Sequence, residues 1–162
     1  MALDSLERPA GRLDIRWVPW AELRSEIGPL WLEHNAEIAS PSDQPLLNPD
    51  WDYYDGLAEF GKDHWVAARV DGELVGYVGC IVTSHPHRKS TLSGFWDLYW
   101  LKPAWRRGWN GYKLIRAGRD SLWARGVRKQ YIGTKMWKDI GPILERLGFS
   151  EAERLYTVSL DN

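Results

Sequence analysis

The 162-residue chain is poor in the residues that usually carry metal or thiol chemistry, with one cysteine, two methionines and four histidines. A single cysteine excludes an intrachain disulfide. Its apolar surroundings (VGYVGCIV) predict that Cys80 is a buried and unreactive thiol. His85 and His87 flank a proline with no third ligand close in sequence, so we expect an ordinary loop there and no metal site.

Long hydrophobic runs are also missing. No apolar stretch approaches the roughly 20 residues that a membrane-spanning helix needs, so we expect no membrane partner. Residues 1–12 lack the apolar stretch of a secretion signal and are expected to fray. With the lone cysteine, these absences favour a reducing compartment, and we predict a cytoplasmic location. The length fits a single domain over residues 13–162, with no internal repeat or linker.

Tryptophan and charge are what the chain has in abundance. Its 11 tryptophans predict core packing, with a carbohydrate or aromatic-ligand surface as the weaker alternative. Residues 1–63 hold 5 basic against 13 acidic residues, a net charge of −8, whereas residues 102–138 hold 11 basic residues against one acidic residue, a net charge of +10. The basic block indicates either an anionic partner, such as a nucleotide, nucleic acid or membrane surface, or a solvated helix face.

Hydrophobic periodicity predicts the element order β-α-α-β-β-β-α-β-α-β. Asp71-Gly72 indicates a hairpin between two strands, and Asn48 followed by Pro49 indicates the start of a helix. The helix over 111–125 must cross between the strands on either side of it, which makes those two strands parallel. The predicted strands are 13–20, 64–70, 74–83, 92–101, 127–133 and 153–160; the predicted helices are 21–38, 50–60, 111–125 and 138–147, with loops at 40–49 and 84–90.

Residues 96–126 combine an apolar strand pattern, a basic turn and a helical pattern that ends at Gly126. A helix N-terminus presents unpaired backbone N–H groups and a partial positive charge. Gly108 and Gly111 allow a ligand to approach the backbone closely, and Arg106 and Arg107 add charge-assisted hydrogen bonds. This combination predicts a binding site for a phosphate or pyrophosphate group.

The same stretch, LKPAWRRGWNGYKLI, resembles the acyl-CoA-binding signature of GNAT-superfamily N-acetyltransferases. In that signature a strand ending in apolar-x-Pro precedes Arg/Gln-x-x-Gly-x-Gly/Ala at the start of a helix. Leu101-Lys102-Pro103 supply the first part, Arg106 the Arg/Gln position and Gly111 the last position. Trp109 stands where the first glycine is expected, with Gly108 one residue earlier.

Two further features extend the resemblance. The closing GPILERLGFSEAERLYTVSL resembles the last helix, Leu-Gly-Phe turn and last strand of the family, and the element order matches over residues 13–160. The amino-acid sequence of the turn is also similar to that of acetyltransferases in bacteriophage genomes. The resemblance implies an α/β (α+β) fold with a mixed, mostly antiparallel sheet of about six strands, about four flanking helices and one parallel β-α-β crossover.

The resemblance also implies the reaction, which is transfer of an acetyl group from the co-substrate acetyl-CoA to a primary amine, without a metal. Its acceptor is a small molecule or a peptide amine. Backbone groups of the strand before the turn are expected to bind the acyl-pantetheine part, and the turn is expected to bind the pyrophosphate. The implied cofactor-binding residues are Tyr99, Trp100, Leu101, Arg106, Arg107, Gly108, Trp109, Asn110, Gly111 and Lys135.

The catalytic groups are less clearly marked. Asp97 lies where family members often carry an acidic residue, so it is either the general base or an ordinary strand aspartate. The tyrosine that often acts as general acid in the family corresponds to Leu144 here. Tyr131 and Tyr156 are candidate substitutes, each with a structural role as the alternative.

The acidic, aromatic segment 31–60 is where the resemblance places the acceptor. Its charge leads to the hypothesis of a cationic acceptor, such as a polyamine, a lysine side chain or an N-terminal amine, although an ordinary solvated acidic helix explains it equally well.

Other functions remain open at this level. The missing tyrosine and Trp109 leave a GNAT-fold module that binds CoA or a protein partner without turnover as the alternative. Nucleic-acid binding is a weaker alternative, because one phosphate-binding signature explains much of the basic block. A homodimer is also expected to be possible, since the many tryptophans leave room for an apolar interface.

Overall fold

The computed structural model describes residues 11–39 and 47–158. The predicted frayed N-terminus and most of the predicted 40–49 loop lie outside these residues. Within them the chain forms five strands and five helices. The strands are β1 (Leu13–Val18), β2 (Asp63–Val70), β3 (Glu73–His85), β4 (Arg88–Leu101) and β5 (Lys129–Tyr131); the helices are α1 (Trp20–Leu23), α2 (Ile27–Ile38), α3 (Trp51–Glu59), α4 (Asn110–Ala124) and α5 (Gly141–Arg146).

The strands form one sheet in the order β1-β2-β3-β4-β5. Neighbours are antiparallel up to β4, and β4 pairs with β5 in parallel. Asp71 and Gly72 both have positive φ angles, 49° and 86°, as the predicted two-residue hairpin turn requires. The α4 crossover explains the parallel pair. The helix carries the chain back along the sheet, so that β5 starts at the same end as β4 and runs in the same direction. The predicted mixed, mostly antiparallel sheet is therefore confirmed.

Each face of the sheet carries its own apolar core. The α4 and α5 face packs Trp96, Leu114 and Leu122 against the valines of β2 and β3. The α1–α3 face packs a cluster of aromatic rings against β2, β3 and β4. Six of the tryptophans are buried, which confirms that most serve packing; they are Trp20, Trp31, Trp65, Trp96, Trp100 and Trp105.

Several element boundaries differ from the sequence prediction. The Asp50 carboxylate, instead of the Asn48 side chain, caps α3, because its Oδ1 accepts a hydrogen bond from the Tyr53 N–H at 2.9 Å. The predicted helix 21–38 is split after Leu23, ahead of the Gly28-Pro29 pair. The predicted loop 84–90 shrinks to two residues, because β3 and β4 continue pairing up to His85 and Arg88.

The C-terminal region departs furthest from the prediction. β5 has three residues instead of the predicted seven, and α5 begins at Gly141. Residues 151–158 are exposed and carry no regular secondary structure, so the predicted strand 153–160 is not formed over its described part. None of the helices in residues 11–39 and 47–158 is long and apolar enough to cross a bilayer.

The close contact between α4 and the sheet depends on Gly118. A Cβ atom at this position would lie 2.5 Å from the Trp96 ring and 3.2 Å from the Val78 side chain.

We expect Gly118→Ala to lower the free energy of unfolding by about 1–3 kcal/mol, because a buried ring must move. Gly56→Ala in α3 is the matched control. No heavy atom lies within 4 Å of a Cβ there, so this change is expected to be neutral or stabilising by up to about 1 kcal/mol. Urea denaturation measures both, and equal stability of the two variants would contradict the packing.

Candidate functional site

The turn between β4 and α4 has the shape that anion binding needs. A short 3-10 helix, Pro103–Trp105, follows β4, and Gly108 has a φ of 55°, a conformation that glycine adopts at little cost. Trp109 is the N-cap residue of α4, and its side chain makes no capping hydrogen bond. The Asn110 side chain donates to the Trp105 carbonyl at 3.0 Å, which holds the turn together.

The first backbone N–H groups of α4 are available to a ligand. A Cβ atom added at Gly111 would have only the Ile143 Cδ1 near it, at 4.0 Å, so the space beside this residue on its side-chain side is open. Oxygen atoms of an anion would complete the hydrogen bonds that a helix start cannot make internally. Among the described residues no hydrogen-bond acceptor pairs with the backbone N–H groups of Gly108, Trp109, Gly111 and Tyr112.

A gap between β4 and β5 leads away from this turn. The parallel pairing covers three residue pairs and ends at Phe95 opposite Tyr131. Lys102 N–H donates to the Val75 carbonyl on β3. Because neighbouring residues of a strand point their backbone groups to opposite sides, Trp100 also faces β3, whereas Tyr99 and Leu101 face the gap. Of the three strand positions expected to bind the acyl group, Trp100 thus has its amide turned away.

Two side-chain contacts border the gap. The Tyr99 hydroxyl donates to the Gly133 carbonyl at 2.8 Å, which bridges β4 to the chain after β5. The Arg106 Nε donates to the Leu101 carbonyl at 2.6 Å. After these contacts the N–H groups of Tyr99 and Leu101 remain directed toward the gap.

Asp97 sits on a β-bulge at the beginning of the gap. The register pairs Gly79 with Leu98 and Cys80 with Trp96, so Asp97 is the extra residue of β4. The bulge explains why Trp96 and Tyr99 both pack on the α4 face although they are three residues apart. On the opposite side of the sheet, the Tyr54 hydroxyl of α3 donates to Asp97 Oδ2 at 2.7 Å. Asp97 is therefore held by a hydrogen bond that sequence reasoning did not predict.

Arg106 has a structural partner. Its two terminal nitrogens donate to the two carboxylate oxygens of Glu37 on α2, at 2.5 Å each. Glu37 also accepts from the Trp100 indole at 2.9 Å and lies 3.3 Å from the Lys138 ammonium. Hydrogen bonds from Arg106, more than any other group, lower the pKa of Glu37 from 4.5 to about 2. The Arg106 side chain thus ties the turn to α2, and its backbone N–H donates to the Pro103 carbonyl at 3.1 Å.

Two other basic residues from the predicted site, Arg107 and Lys135, lie in different places. Arg107 is in the turn itself, and Lys135 is in the loop after β5. The Arg107 Cζ lies 5.3 Å from the centroid of the Trp105 ring. Lys135 belongs to the loop after β5, where it forms an isolated bridge with Lys138 and its ammonium lies 5.5 Å from the centroid of the Trp137 ring. This loop reaches α2, because the Trp137 indole donates to the carbonyl of Ile38 at 3.3 Å.

The candidate general acids are in different situations. The Tyr131 ring stacks on Phe95 with centroids 4.9 Å apart, at the point where β4 and β5 separate. Tyr156 is 84% exposed in the segment without regular structure, so the described structure does not bring it to the gap. Leu144 is buried in the core under α5 and has no proton to donate.

Most acidic and aromatic residues of the 31–60 segment have partners inside the protein. The Asp55 carboxylate accepts hydrogen bonds from the Trp20 indole and from Arg24. Trp51 stacks on Trp31 at 5.0 Å, so its ring belongs to the aromatic core. Asp43 lies outside the described residues. Three acidic residues of the segment's described part make no described ion pair and no capping bond: Glu33, Asp52 and Glu59.

The thiol of Cys80 and the possible metal ligands can be described from burial and geometry. Cys80 is buried, which confirms the prediction, and burial raises the pKa of its thiol so that it stays protonated. No group of three or more His, Cys, Asp or Glu side chains within the described part of the chain is arranged to hold a metal ion.

Comparison with known proteins decides the family. Residues 17–149 match the model of the acetyltransferase (GNAT) family. The chain belongs to the GNAT family. The matched residues include the turn, the gap and α5, and they end before the exposed segment 151–158. No curated protein sequence matches the chain.

Solved structures of acetyltransferases share the fold. An aminoglycoside acetyltransferase from an uncultured soil metagenomic sample is 16% identical, with a TM-score of 0.69 and coverage of 92% of this chain and 97% of that chain. A ribosomal-protein-alanine N-acetyltransferase from Brucella melitensis is 21% identical, with a TM-score of 0.66 and coverage of 93% and 100%. A predicted acetyltransferase from Clostridium acetobutylicum, solved with acetyl-CoA, is 12% identical, with a TM-score of 0.68 and coverage of 91% and 96%. At these identities the likeness establishes the fold, while a cytoplasmic location, a phage origin and a homodimer stay predictions.

The Glu37–Arg106 pair predicts a pH dependence of stability. A carboxylate whose pKa falls from 4.5 to about 2 on folding stabilises the native state above pH 4.5. This contribution is lost as the pH falls from 4.5 toward 2. We expect Glu37→Gln to lower the free energy of unfolding at pH 7 by on the order of 2 kcal/mol, with the difference from wild type shrinking below pH 4.5.

Urea denaturation at several pH values measures this difference. Glu33→Gln, on the same helix and without an ion pair, is the control and is expected to change the free energy of unfolding little. A Glu37→Gln difference that stays constant between pH 7 and pH 3 would contradict the assignment.

Proposed function

We propose that this GNAT protein transfers the acetyl group of acetyl-CoA to a primary amine, with the turn before α4 holding the pyrophosphate. The observation that carries the proposal is the set of unpaired N–H groups at the start of α4, next to open space over Gly111. These donors lie where the strand pair β4–β5 has parted, so one extended ligand can contact both the turn and the strand edge.

The residues present fit such a ligand. The backbone N–H groups of Gly108, Trp109 and Gly111 and the helix dipole suit the pyrophosphate, and the N–H groups of Tyr99 and Leu101 face the gap where the pantetheine arm fits. Lys135 lies on the loop that borders the gap. When bound, acetyl-CoA supplies an acetyl group that is activated as a thioester. Arg106 contributes by holding the turn in place through Glu37 and the Leu101 carbonyl.

We assign Asp97 as the general base that removes the proton from the acceptor amine. A protonated amine has no lone pair, so it must lose a proton before it attacks a carbonyl carbon. One oxygen of Asp97 accepts the Tyr54 hydroxyl, which leaves Oδ1 to accept the proton directly or through a water molecule. Tyr54 is a positioning residue in this scheme, because burial and the Asp97 hydrogen bond raise its pKa and keep its hydroxyl protonated.

The proton for the departing thiolate has two candidate sources. Tyr131 is nearer to the site than Tyr156, since it stacks at the start of the gap. Leu144 occupies the position at which family members often carry the general-acid tyrosine, and its side chain has no proton to donate. We therefore assign Tyr131 as the candidate acid, with water as the other source.

The acceptor is proposed to be a cationic amine that approaches over α2 and α3. Glu33, Asp52 and Glu59 carry the negative charge on these helices that has no described ion pair, a smaller acidic surface than the sequence suggested. A panel of amines tests this point. Cationic polyamines or lysine peptides are expected to give a higher kcat/KM than neutral amines of similar size, and the reverse order would overturn it.

Calorimetric titration with acetyl-CoA tests the binding site. Wild type is expected to bind, and Gly111→Trp to bind at least ten-fold more weakly, because the indole fills the open space beside this residue. Gly111→Ala is the control for folding, since a Cβ meets no atom closer than 4.0 Å. Absence of binding to wild type would overturn the proposal.

Thiol release with acetyl-CoA and mixed amines tests catalysis. We expect Asp97→Asn to lower kcat by about 100-fold or more, as loss of a general base does. Tyr54→Phe is expected to lower kcat about ten-fold while the Kd for acetyl-CoA stays unchanged, and Tyr53→Phe, which removes an exposed hydroxyl on the same helix, to have no effect.

A double variant separates positioning from stability. Because Tyr54 acts through Asp97, Tyr54→Phe is expected to cause no further loss of kcat in the Asp97→Asn background. Independent losses that multiply would contradict the positioning role. Binding of acetyl-CoA without thiol release for any amine would instead favour a module without turnover.

A further inference from the structure

We propose that the Trp109 side chain is a stacking platform for the adenine ring of acetyl-CoA, and that Arg146 beside it contacts the ribose 3′-phosphate. The proposal rests on the acyl-CoA site described above. It assigns a function to the residue that interrupts the glycine pattern of the turn, and it uses side chains where the site so far uses backbone groups.

Trp109 is one of four exposed tryptophans, together with Trp17, Trp123 and Trp137, and it is the one that belongs to the turn before α4. Six others are buried, whereas Trp109 is 59% exposed although it begins a helix that packs on the core. An exposed indole gains little from burial within its own chain. Its position beside the anion site therefore points to contact with a ligand, and a planar base is a partner on which an indole face can stack.

The indole stands next to the anion site without closing it. The N–H of Trp109 is one of the unpaired amides, so the ring starts from the backbone that would hold the pyrophosphate. Space remains open over Gly111 and over Gly108, where an added Cβ atom would have no neighbour within 4 Å. In CoA only the ribose separates the adenine from the pyrophosphate, so the base must lie near the turn.

Neighbouring side chains hold the ring in place. Tyr112 meets the indole at 81° with the two ring centroids 5.5 Å apart. The Arg146 Cζ of α5 lies 5.8 Å from the indole centroid. A ring that is already oriented loses less conformational entropy when a ligand stacks on it.

Arg146 also supplies the charge that a phosphate requires. Its contact with the Trp109 ring is its one described interaction, and no described carboxylate pairs with it. A guanidinium beside the base-stacking ring suits the phosphate on the ribose, since arginine binds phosphate oxygens through two N–H groups. The two side chains together form a site for the adenosine 3′-phosphate end of the ligand.

Trp123 provides a closely matched control. It lies at the opposite end of α4, is 60% exposed, and has the Arg128 Cζ 4.8 Å from its ring centroid. It thus has the same chemistry as Trp109 but is far along the helix from the unpaired amides. A general effect of removing an exposed indole from α4 would appear in both variants.

Calorimetry compares acetyl-CoA with acetyl-4′-phosphopantetheine, which lacks adenosine, the 3′-phosphate and one of the two phosphates of the pyrophosphate. Trp109→Ala is expected to weaken acetyl-CoA binding about ten-fold, equal to about 1.4 kcal/mol, and to leave binding of the adenosine-free ligand unchanged. Trp109→Phe is expected to lose less, because it keeps an aromatic face, and Trp123→Ala to match wild type for both ligands.

A second comparison uses acetyl-CoA and its 3′-dephospho form. Wild type is expected to bind acetyl-CoA more tightly, and Arg146→Gln to lose most of this preference. If wild type binds acetyl-CoA but Trp109→Ala binds as tightly as Trp123→Ala, the platform is wrong and the acyl-CoA site stands. If wild type binds neither ligand, the acyl-CoA site itself is wrong.

Discussion

The separation of β4 and β5 beyond Phe95 is the constraint on which the candidate site depends. Backbone hydrogen-bonding groups must find partners, and β3 satisfies only one edge of β4. On the other edge the protein uses a bulge at Asp97, the Tyr99 hydroxyl bridge and the Arg106 contact to the Leu101 carbonyl. The N–H groups that remain give an extended ligand a strand edge to bind, and they lead directly to the start of α4.

Charge and packing then determine which parts of the turn are available. The acidic N-terminal half and the basic C-terminal half meet at Glu37, where Arg106 and Lys138 converge. This pairing uses the arginine that the signature would assign to phosphate and leaves the amides for that role. On the same face of the sheet, stacked aromatic rings hold α3 firmly enough for Tyr54 to reach Asp97 across 43 residues of sequence. The site thus combines a polar strand edge with a rigid aromatic support.

Local patterns were sufficient to predict much of the fold and part of the site. Asp71-Gly72 predicted its hairpin because glycine and aspartate tolerate positive φ. The helix α4 predicted the parallel pair, because two strands of one sheet that are joined by a helical crossover run in the same direction. The anion turn was predictable for the same reason, since a helix start after Gly108 has unpaired amides whatever surrounds it. The strand predicted over 153–160 failed over its described part, because an alternating pattern does not ensure that a neighbouring strand is available.

The sequence by itself therefore determined the order of β1 to β5 and of the α4 crossover, the burial of Cys80 and the position of the turn before α4, all of which depend on residues close together in the chain. Only the tertiary structure decided the partner of Arg106, the hydrogen bond to Asp97 and the direction of the Trp109 ring. Those contacts join residues that are 37 to 69 positions apart, and chain folding alone brings such residues within hydrogen-bond or stacking distance.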